Sequence, residues 1–480
     1  MSDEWAEILE KFKVISSIPR CSGNEKQVSN YISGFAKARG CEVIQDETFN
    51  LVVKKKGTPG YERSPVVVLQ GHLDMVCVKR SDSNHDFQKD PIKVVVVGSE
   101  HITADGTSLG ADNGIAVAYL MTLIESSEIA HPPLELLFTA SEECGMVGAS
   151  KIKPGVLKGR SLINLDMEYE GIFLVSCAGG LTNIVRSRVS WVKNSGNKQA
   201  YLLKINGLQG GHSGLDIDKG RANAIKLMGE LLHALSMNAA FDLVNISGGM
   251  FFNAIPTEAQ ATLLVGNENA DVLKKDIKAK GNAFKVTFEK TDPGMEITFE
   301  AAPGNFGQVM SDYSKKSIIS MLKFIPNGVQ SMSQDMEGLV QTSTNIGVMG
   351  VSEDEFSATS CIRSSNADMK RQIIEKIDTV VRDFGAEAEN KDDYPEWEYK
   401  KESPLRDLCK RVYEELFNQQ TFNIAVHAGV ECGLFNKLGD FDMISIGPTI
   451  TDVHSVNEKL NIPSASRTWE FLKGILKEMK

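Results

Sequence analysis

Three short apolar runs along the chain each stop abruptly at polar residues. Positions 66–69 run into Gln70-Gly71-His72, positions 134–138 into Thr139-Ala140-Ser141-Glu142-Glu143, and positions 162–165 into Asp166. Polar residues do not alternate within these runs, which is the pattern of strands buried on both faces. Positions 114–124 read as a helix, and positions from about 1 to 40 carry helical periodicity broken at Pro19 and Gly23. Strands alternating with helices predict an α/β domain with a largely buried sheet, whose ligands bind just beyond the strand ends.

From about position 185 the pattern changes and a repeat emerges. Each copy reads as strand, helix, two strands, helix: 202–205, 222–235, 243–246 and 259–265 in the first, and 297–300, 317–324, 344–347 and 357–363 in the second. Asn245-Ile246-Ser247-Gly248-Gly249-Met250 parallels Asn345-Ile346-Gly347-Val348-Met349-Gly350, and 267–271 parallels 364–368. After Pro395 the helix-strand pattern returns. Positions 404–419 are helical, with Ser403 as cap and Pro404 at the first helical position; strands follow at 424–426 and 443–447. The predicted organisation is a discontinuous first domain, 1–185 and 389–480, interrupted by an inserted domain at 186–388 made of two α/β halves, about 186–290 and 291–388.

Composition narrows the function. The net charge of -11 over 480 residues argues against nucleic acid as a partner. No stretch approaches the roughly 18 apolar residues of a membrane helix. The start, Met1-Ser2-Asp3-Glu4-Trp5, lacks the basic and apolar regions of a secretory signal. The eight cysteines are scattered without a CxxC pair, so they read as buried or free thiols in a reducing cytoplasm.

The chemistry-bearing residues gather past the strand ends: His72, Asp74, Asp112, Glu142, Glu143, Asp166 and His454. Singly each has an ordinary reading, as a solvated pair, a helix cap or a loop residue. Together they offer the nitrogen and oxygen donors of a divalent metal centre, including a carboxylate able to bridge two ions. In His72-Leu73-Asp74 the two polar side chains share one face of an extended chain, so Asp74 can orient the imidazole. The adjacent Glu142 and Glu143 diverge, so one can bind metal while the other serves as general base. No P-loop pattern is present. His85, His101, His131 and His233 have no supporting context, and the 79–101 segment has no evident purpose.

The motifs at 70–76, 106–114, 139–145, 164–166 and 210–214, followed by 427–433 and 446–454, resemble in order those of the aminoacyl-histidine dipeptidases, within the wider dinuclear-zinc aminopeptidase-like hydrolases. The resemblance spans nearly the whole chain. It implies a zinc-peptidase-like catalytic domain with an inserted lid, and a pair of divalent ions, zinc first, with cobalt or manganese acceptable to the same donors. His72, Asp112 and Asp166 would hold one ion; Asp112, Glu143 and His454 the other. The bond after Asp112 would be cis. Glu142 would carry the proton from water to the leaving amine, Asp74 would steady His72, and His212 would stabilise the oxyanion. Arg363 would meet the substrate carboxylate, Asn253 the substrate carboxylate or carbonyl, and Gly429 and Glu431 would line the pocket near the free amine. Small dipeptides, Xaa-His among them, would be the substrates. No His matches His212 in the second half, at 302–307, so one half would be functional and the other structural, which permits a monomer without excluding a homodimer. Amidohydrolase action on N-acyl amino acids, tripeptide cleavage and a binding protein without catalysis are the competing readings.

Overall fold

The computed structural model describes residues 3–480, so the first two residues of the N-terminal stretch read above for a signal lie outside the described residues. Two compact units emerge: residues 1–177, 399–425 and 430–480 in the first, and 178–398 with 426–429 in the second. The predicted boundaries at 185/186 and 388/389 fall inside the strands Gly179–Arg188 and Glu387–Tyr394. One residue, Ala178, separates the strand Ile172–Cys177 from Gly179–Arg188, so no linker marks the change of unit.

The first unit is built on an eight-stranded sheet. Its order is Glu42–Gln45, Leu51–Lys55, Leu134–Thr139, Val67–His72, Ser161–Asn164, Asp442–Ser445, Ile172–Cys177, Phe422–Val426. The four strands beginning at Leu134, Val67, Ser161 and Asp442 are parallel neighbours. Val67–His72 and Leu134–Thr139 are buried at every position, which explains their unbroken apolar runs. The helix Ala111–Glu125 is buried on almost its whole surface. Tyr119 on it stacks on Trp469 and donates its hydroxyl to Ala465 O at 2.7 Å. The helix Pro404–Phe417 starts at Ser403, whose Oγ accepts from Arg406 N at 3.0 Å.

Part of the 79–101 segment now has a place. Val94–Val97 pairs with His101–Ala104 at one side of a four-stranded sheet that continues through Lys459–Asn461 to Ile450–Thr451. That sheet frames residues 452–458, which carry His454. Cys21 and Cys77 form a disulfide with Cα atoms 5.7 Å apart, against the expectation of free thiols throughout; 56 residues separate them in sequence, so spacing gave no hint. The other six cysteines are free.

The second unit is an antiparallel sheet in the order Glu296–Ala301, Lys198–Asn206, Ala259–Gly266, Asp242–Gly248, Val340–Ser352, Glu355–Ser364, Gly179–Arg188, Glu387–Tyr394. The helices Ala224–Ser236, Asn267–Thr287, Asp312–Phe324 and Ala367–Asp383 share one hydrophobic core with it. The two halves meet at the Gly248–Met349 pair. This order corrects the repeat. Outward from the centre each half has its middle two strands, its opening strand and its closing strand. Glu296–Ala301 occupies the closing position of the first half, where it pairs with Lys198–Asn206. The opening strand of the second half is Gly179–Arg188, paired with Glu355–Ser364. The first half is therefore inserted into the second, because antiparallel register, not chain adjacency, decides which strands belong together.

Candidate metal centre

The parallel strands of the first unit deliver the acidic residues to one edge. His72 ends its strand, Glu142 and Glu143 follow Leu134–Thr139, and Asp166 follows Ser161–Asn164; these three strands are adjacent in the sheet. Asp112 enters at the start of the Ala111–Glu125 helix, with a cis bond to Asn113 and a non-helical backbone at both residues. Asn113 ties the strand ends together: its Oδ1 accepts from His72 N at 3.1 Å and its Nδ2 donates to Leu165 O at 2.7 Å. Gly71 is required beside it, since a Cβ there would lie 2.5 Å from Asn113 Oδ1.

Donor atoms of His72, Asp112 and Asp166 lie within 4.8 Å of one another, as do those of Asp112, Glu143 and His454. Asp112 belongs to both groups. His72 Nε2 is 3.0 Å from Asp112 Oδ1 and 3.5 Å from Asp166 Oδ1. His454 Nε2 is 3.2 Å from Asp112 Oδ2 and 2.8 Å from Glu143 Oε1. Glu142 also comes within the same reach of His72 and Glu143, so distance alone does not separate base from ligand.

The electrostatics are those of a site short of positive charge. Hydrogen bonds to Asp112 and Glu143 raise the His454 imidazole to about 10, against burial. Burial opposes the charge on His72, yet Asp166, Asp112 and Asp74 raise it well above the usual value. Burial lifts Asp166 to about 6, with Asp112 and Glu143 adding to it and His72 opposing. Burial also pushes Glu142 well up, with Asp166, Glu431 and Glu143 reinforcing and His72 opposing. Four carboxylates and two imidazoles arranged around a shared aspartate fit a pair of divalent cations.

Asp74 lies beneath this array, fully buried. Its backbone O and its Oδ1 are 3.1 and 3.4 Å from His72 Nδ1, an arrangement that engages the Nδ1 proton and turns Nε2 toward the acidic groups. Its carboxylate also accepts from Glu142 N at 3.0 Å, Glu143 N at 3.2 Å and Ser22 Oγ at 2.7 Å. Glu431, 1% exposed, opens the short helix Glu431–Phe435, and its Oε2 accepts from Gln70 Nε2 at 2.6 Å and Thr139 Oγ1 at 2.8 Å. Burial raises it to about 8 and its Oε1 has no partner.

The other expected residues belong to the second unit. His212 Nδ1 accepts from Gly214 N at 3.2 Å and Leu215 N at 3.1 Å. Burial and the nearby Arg363 lower its pKa, so the imidazole is neutral and its proton sits on Nε2. Arg363 donates to Tyr394 Oη at 3.0 Å, while its buried Nε has no partner. His427 Nε2 is 2.7 Å from Ser343 Oγ, and burial and Arg363 push it down to about 4. A Cβ on Gly214 would meet His427 O at 2.6 Å, His212 Cε1 at 3.1 Å and Arg363 Nε at 3.2 Å, so these groups converge on one glycine. Asn253 O accepts from Ser213 N at 2.9 Å. Gly429 falls with this unit and Glu431 with the first. The spacing of His427 and Glu431, four apart, also allowed a second metal pair; His427 instead meets Ser343, while Arg20, Ser22 and Glu458 around the acidic cluster, and Ser343 and Tyr394 here, carried no signal in the sequence.

The curated relatives include the cytosol non-specific dipeptidase of Escherichia coli strain K12, 36% identical over 469 residues, spanning 98% of this chain and 96% of the relative. Among solved structures, aminoacylhistidine dipeptidase from Vibrio alginolyticus superimposes with a TM-score of 0.93 at 36% identity, covering 98% of this chain and 96% of that one. An aminopeptidase from Bacillus cereus, 14% identical with a TM-score of 0.56 over 99% and 98% of the two chains, shares the fold alone. The family model for peptidase family M20/M25/M40 matches residues 68–478, and the chain belongs to that family.

Proposed function

We propose that this chain is a cytoplasmic dipeptidase that cleaves dipeptides with a free N-terminus, Xaa-His among them, with two zinc ions. The observation that carries the reading is Asp112, shared by two groups of three donors. His72, Asp112 and Asp166 would hold one ion and Asp112, Glu143 and His454 the other, and such ions would supply Lewis acidity toward the scissile carbonyl and toward water at neutral pH. Glu142 receives the proton of the attacking water and returns it to the leaving amine. Burial disfavours its charged form, which favours uptake of that proton. Asp74 holds His72 in the ligating tautomer and, through two backbone amides, fixes the turn that carries Glu142 and Glu143.

His212 is assigned to the oxyanion: with Nδ1 engaged by two amides, Nε2–H is the donor it has to offer. Arg363, with an unpaired buried Nε, is assigned to the substrate's terminal carboxylate, with Asn253 beside it. Glu431, through its unpaired Oε1, and Gly429 are assigned to the free amine.

Ala-His, Gly-Gly, a C-amidated dipeptide, a tripeptide and an N-acetyl amino acid, assayed before and after chelation, test this. Expected are rapid cleavage of the two free dipeptides, slow cleavage of the amide, loss of activity on chelation and recovery with Zn2+. Preference for the tripeptide or the acylated substrate would overturn the dipeptidase reading, and activity resistant to chelation would overturn the metal reading.

A further inference from the structure

One buried charge has no part in the chemistry above. Glu458, 2% exposed, lies four residues after His454. Its Oε2 accepts from Leu109 N at 2.8 Å and Gly110 N at 2.9 Å; its Oε1 accepts from Ala111 N at 2.8 Å and Asp112 N at 3.3 Å. Four consecutive amides thus converge on one carboxylate, and the last belongs to Asp112. Buried carboxylates are retained when hydrogen bonds replace lost water, and backbone amides do this at low entropy cost.

The other side of the turn is held as firmly. Arg20, 2% exposed, donates Nη2 to Gly110 O, and Nη1 to Leu73 O at 3.0 Å and Asp74 O at 2.9 Å. Gly110 has φ +69, and a Cβ there would lie 2.5 Å from Arg20 Nη2 and 2.7 Å from Met75 Sδ. The 109–112 turn is therefore gripped through its amides by Glu458 and through a carbonyl by Arg20. Glu458 is itself fixed: Thr103 Oγ1 donates to its backbone O at 2.9 Å, from the strand His101–Ala104 that pairs with Lys459–Asn461.

We propose that Glu458 is a positioning residue for the metal centre, locking the turn that carries Asp112 to the turn that carries His454 and so setting the distance between two ligands of the same ion. It also gives the 79–101 segment a purpose, since the hairpin ending at Ala104 anchors the Glu458 backbone. The inference rests on the reading of Asp112 as the shared ligand. Removing such a partner of a ligand costs about 10- to 100-fold in metal affinity.

The test is Co2+ titration of the chelator-stripped full chain by calorimetry, with the visible absorption of bound cobalt recorded alongside. Wild type is expected to take two ions. In Glu458→Gln one amide nitrogen faces backbone donors, so one Co2+ should bind at least tenfold more weakly, with an altered visible band. Glu458→Asp, which keeps the charge, should recover part of the affinity, and Thr103→Val should lose less than Glu458→Gln. Two ions bound by Glu458→Gln with wild-type affinity and spectrum would overturn the proposal. So would failure of both Glu458 variants to fold, which would make the residue a support of the fold at large. Asp112→Asn run in parallel separates the two levels: wild-type Co2+ binding there would defeat the shared-ligand reading itself.

Discussion

The acidic cluster of the first unit and the basic cluster of the second are opposites in sign and in what they do to histidine. Around Asp112, neighbouring carboxylates raise His454 to about 10 and burial raises Asp166 to about 6. Around Gly214, burial and Arg363 lower His427 to about 4 and lower His212 as well. The same side chain is a stand-in cation in one place and a neutral hydrogen-bonding group in the other. Each cluster is electrostatically incomplete, the first lacking positive charge and the second lacking negative charge. On the function proposed above, a cation would answer the first, and a carboxylate or an oxyanion the second.

The largest effect that would test this division comes from the one acidic residue assigned to proton transfer. Glu142→Gln removes the base and leaves the donors of both proposed ligand groups in place. The expected result is a fall in kcat of about a thousandfold, roughly 4 kcal/mol, with two metal ions still bound. Metal analysis of the dialysed variant beside its kinetics decides the matter. Loss of an ion would make Glu142 a ligand, which its distance to His72 and Glu143 also permits, and a fall under tenfold would remove it from proton transfer.

Histidine in the basic cluster gives the next effect, in stability. His427 titrates near 6.5 when unfolded and at about 4 in the fold. Its folded pKa is depressed, so its stabilising contribution is present above pH 6.5 and is lost as pH falls from there toward 4. Between pH 7.5 and 4.5 the loss is roughly 2.5 kcal/mol for a group this buried. Urea unfolding of the metal-free protein should show wild type losing that much more than His427→Gln over this interval. Equal losses would mean that His427 is already charged in the folded protein.

The clusters were not equally legible in the sequence. The acidic one was, because buried parallel strands write themselves as unbroken apolar runs, and the residue after each run marks the ligand edge. Val67–His72 and Leu134–Thr139 end within a few residues of their expected ends. What supports those ligands was hidden. Glu458 acts on backbone amides 346 to 349 residues away, and amides leave no mark on residue type. Arg20 likewise meets only carbonyls. In the second unit the repeat was visible as composition, but its boundary was not. Glu296–Ala301 follows a helix and precedes another, so a linear reading attaches it to either half; only its pairing with Lys198–Asn206 decides. His427 directly follows the strand Phe422–Val426, and its neighbours Ser343 and Arg363 are 84 and 64 positions away.

The smallest expected effect is the sharpest test of whether the clusters act separately. Gly214 carries no charge, and its amide supports His212 Nδ1. Gly214→Ala would place a methyl 2.6 Å from the backbone O of His427, which cannot rotate away, and within 3.2 Å of His212 and Arg363. Overpacking of this kind costs about 1–2 kcal/mol, so kcat/KM for a dipeptide should fall about five- to thirtyfold. The metal stoichiometry and the visible spectrum of the cobalt-loaded protein should not change, because none of the proposed ligands lies in that unit. An altered cobalt band would mean that the acidic centre depends on the packing of the basic one. Unchanged kcat/KM would mean that the convergence of His212, Arg363 and His427 on this glycine has no part in turnover, leaving the chemistry to the acidic centre alone.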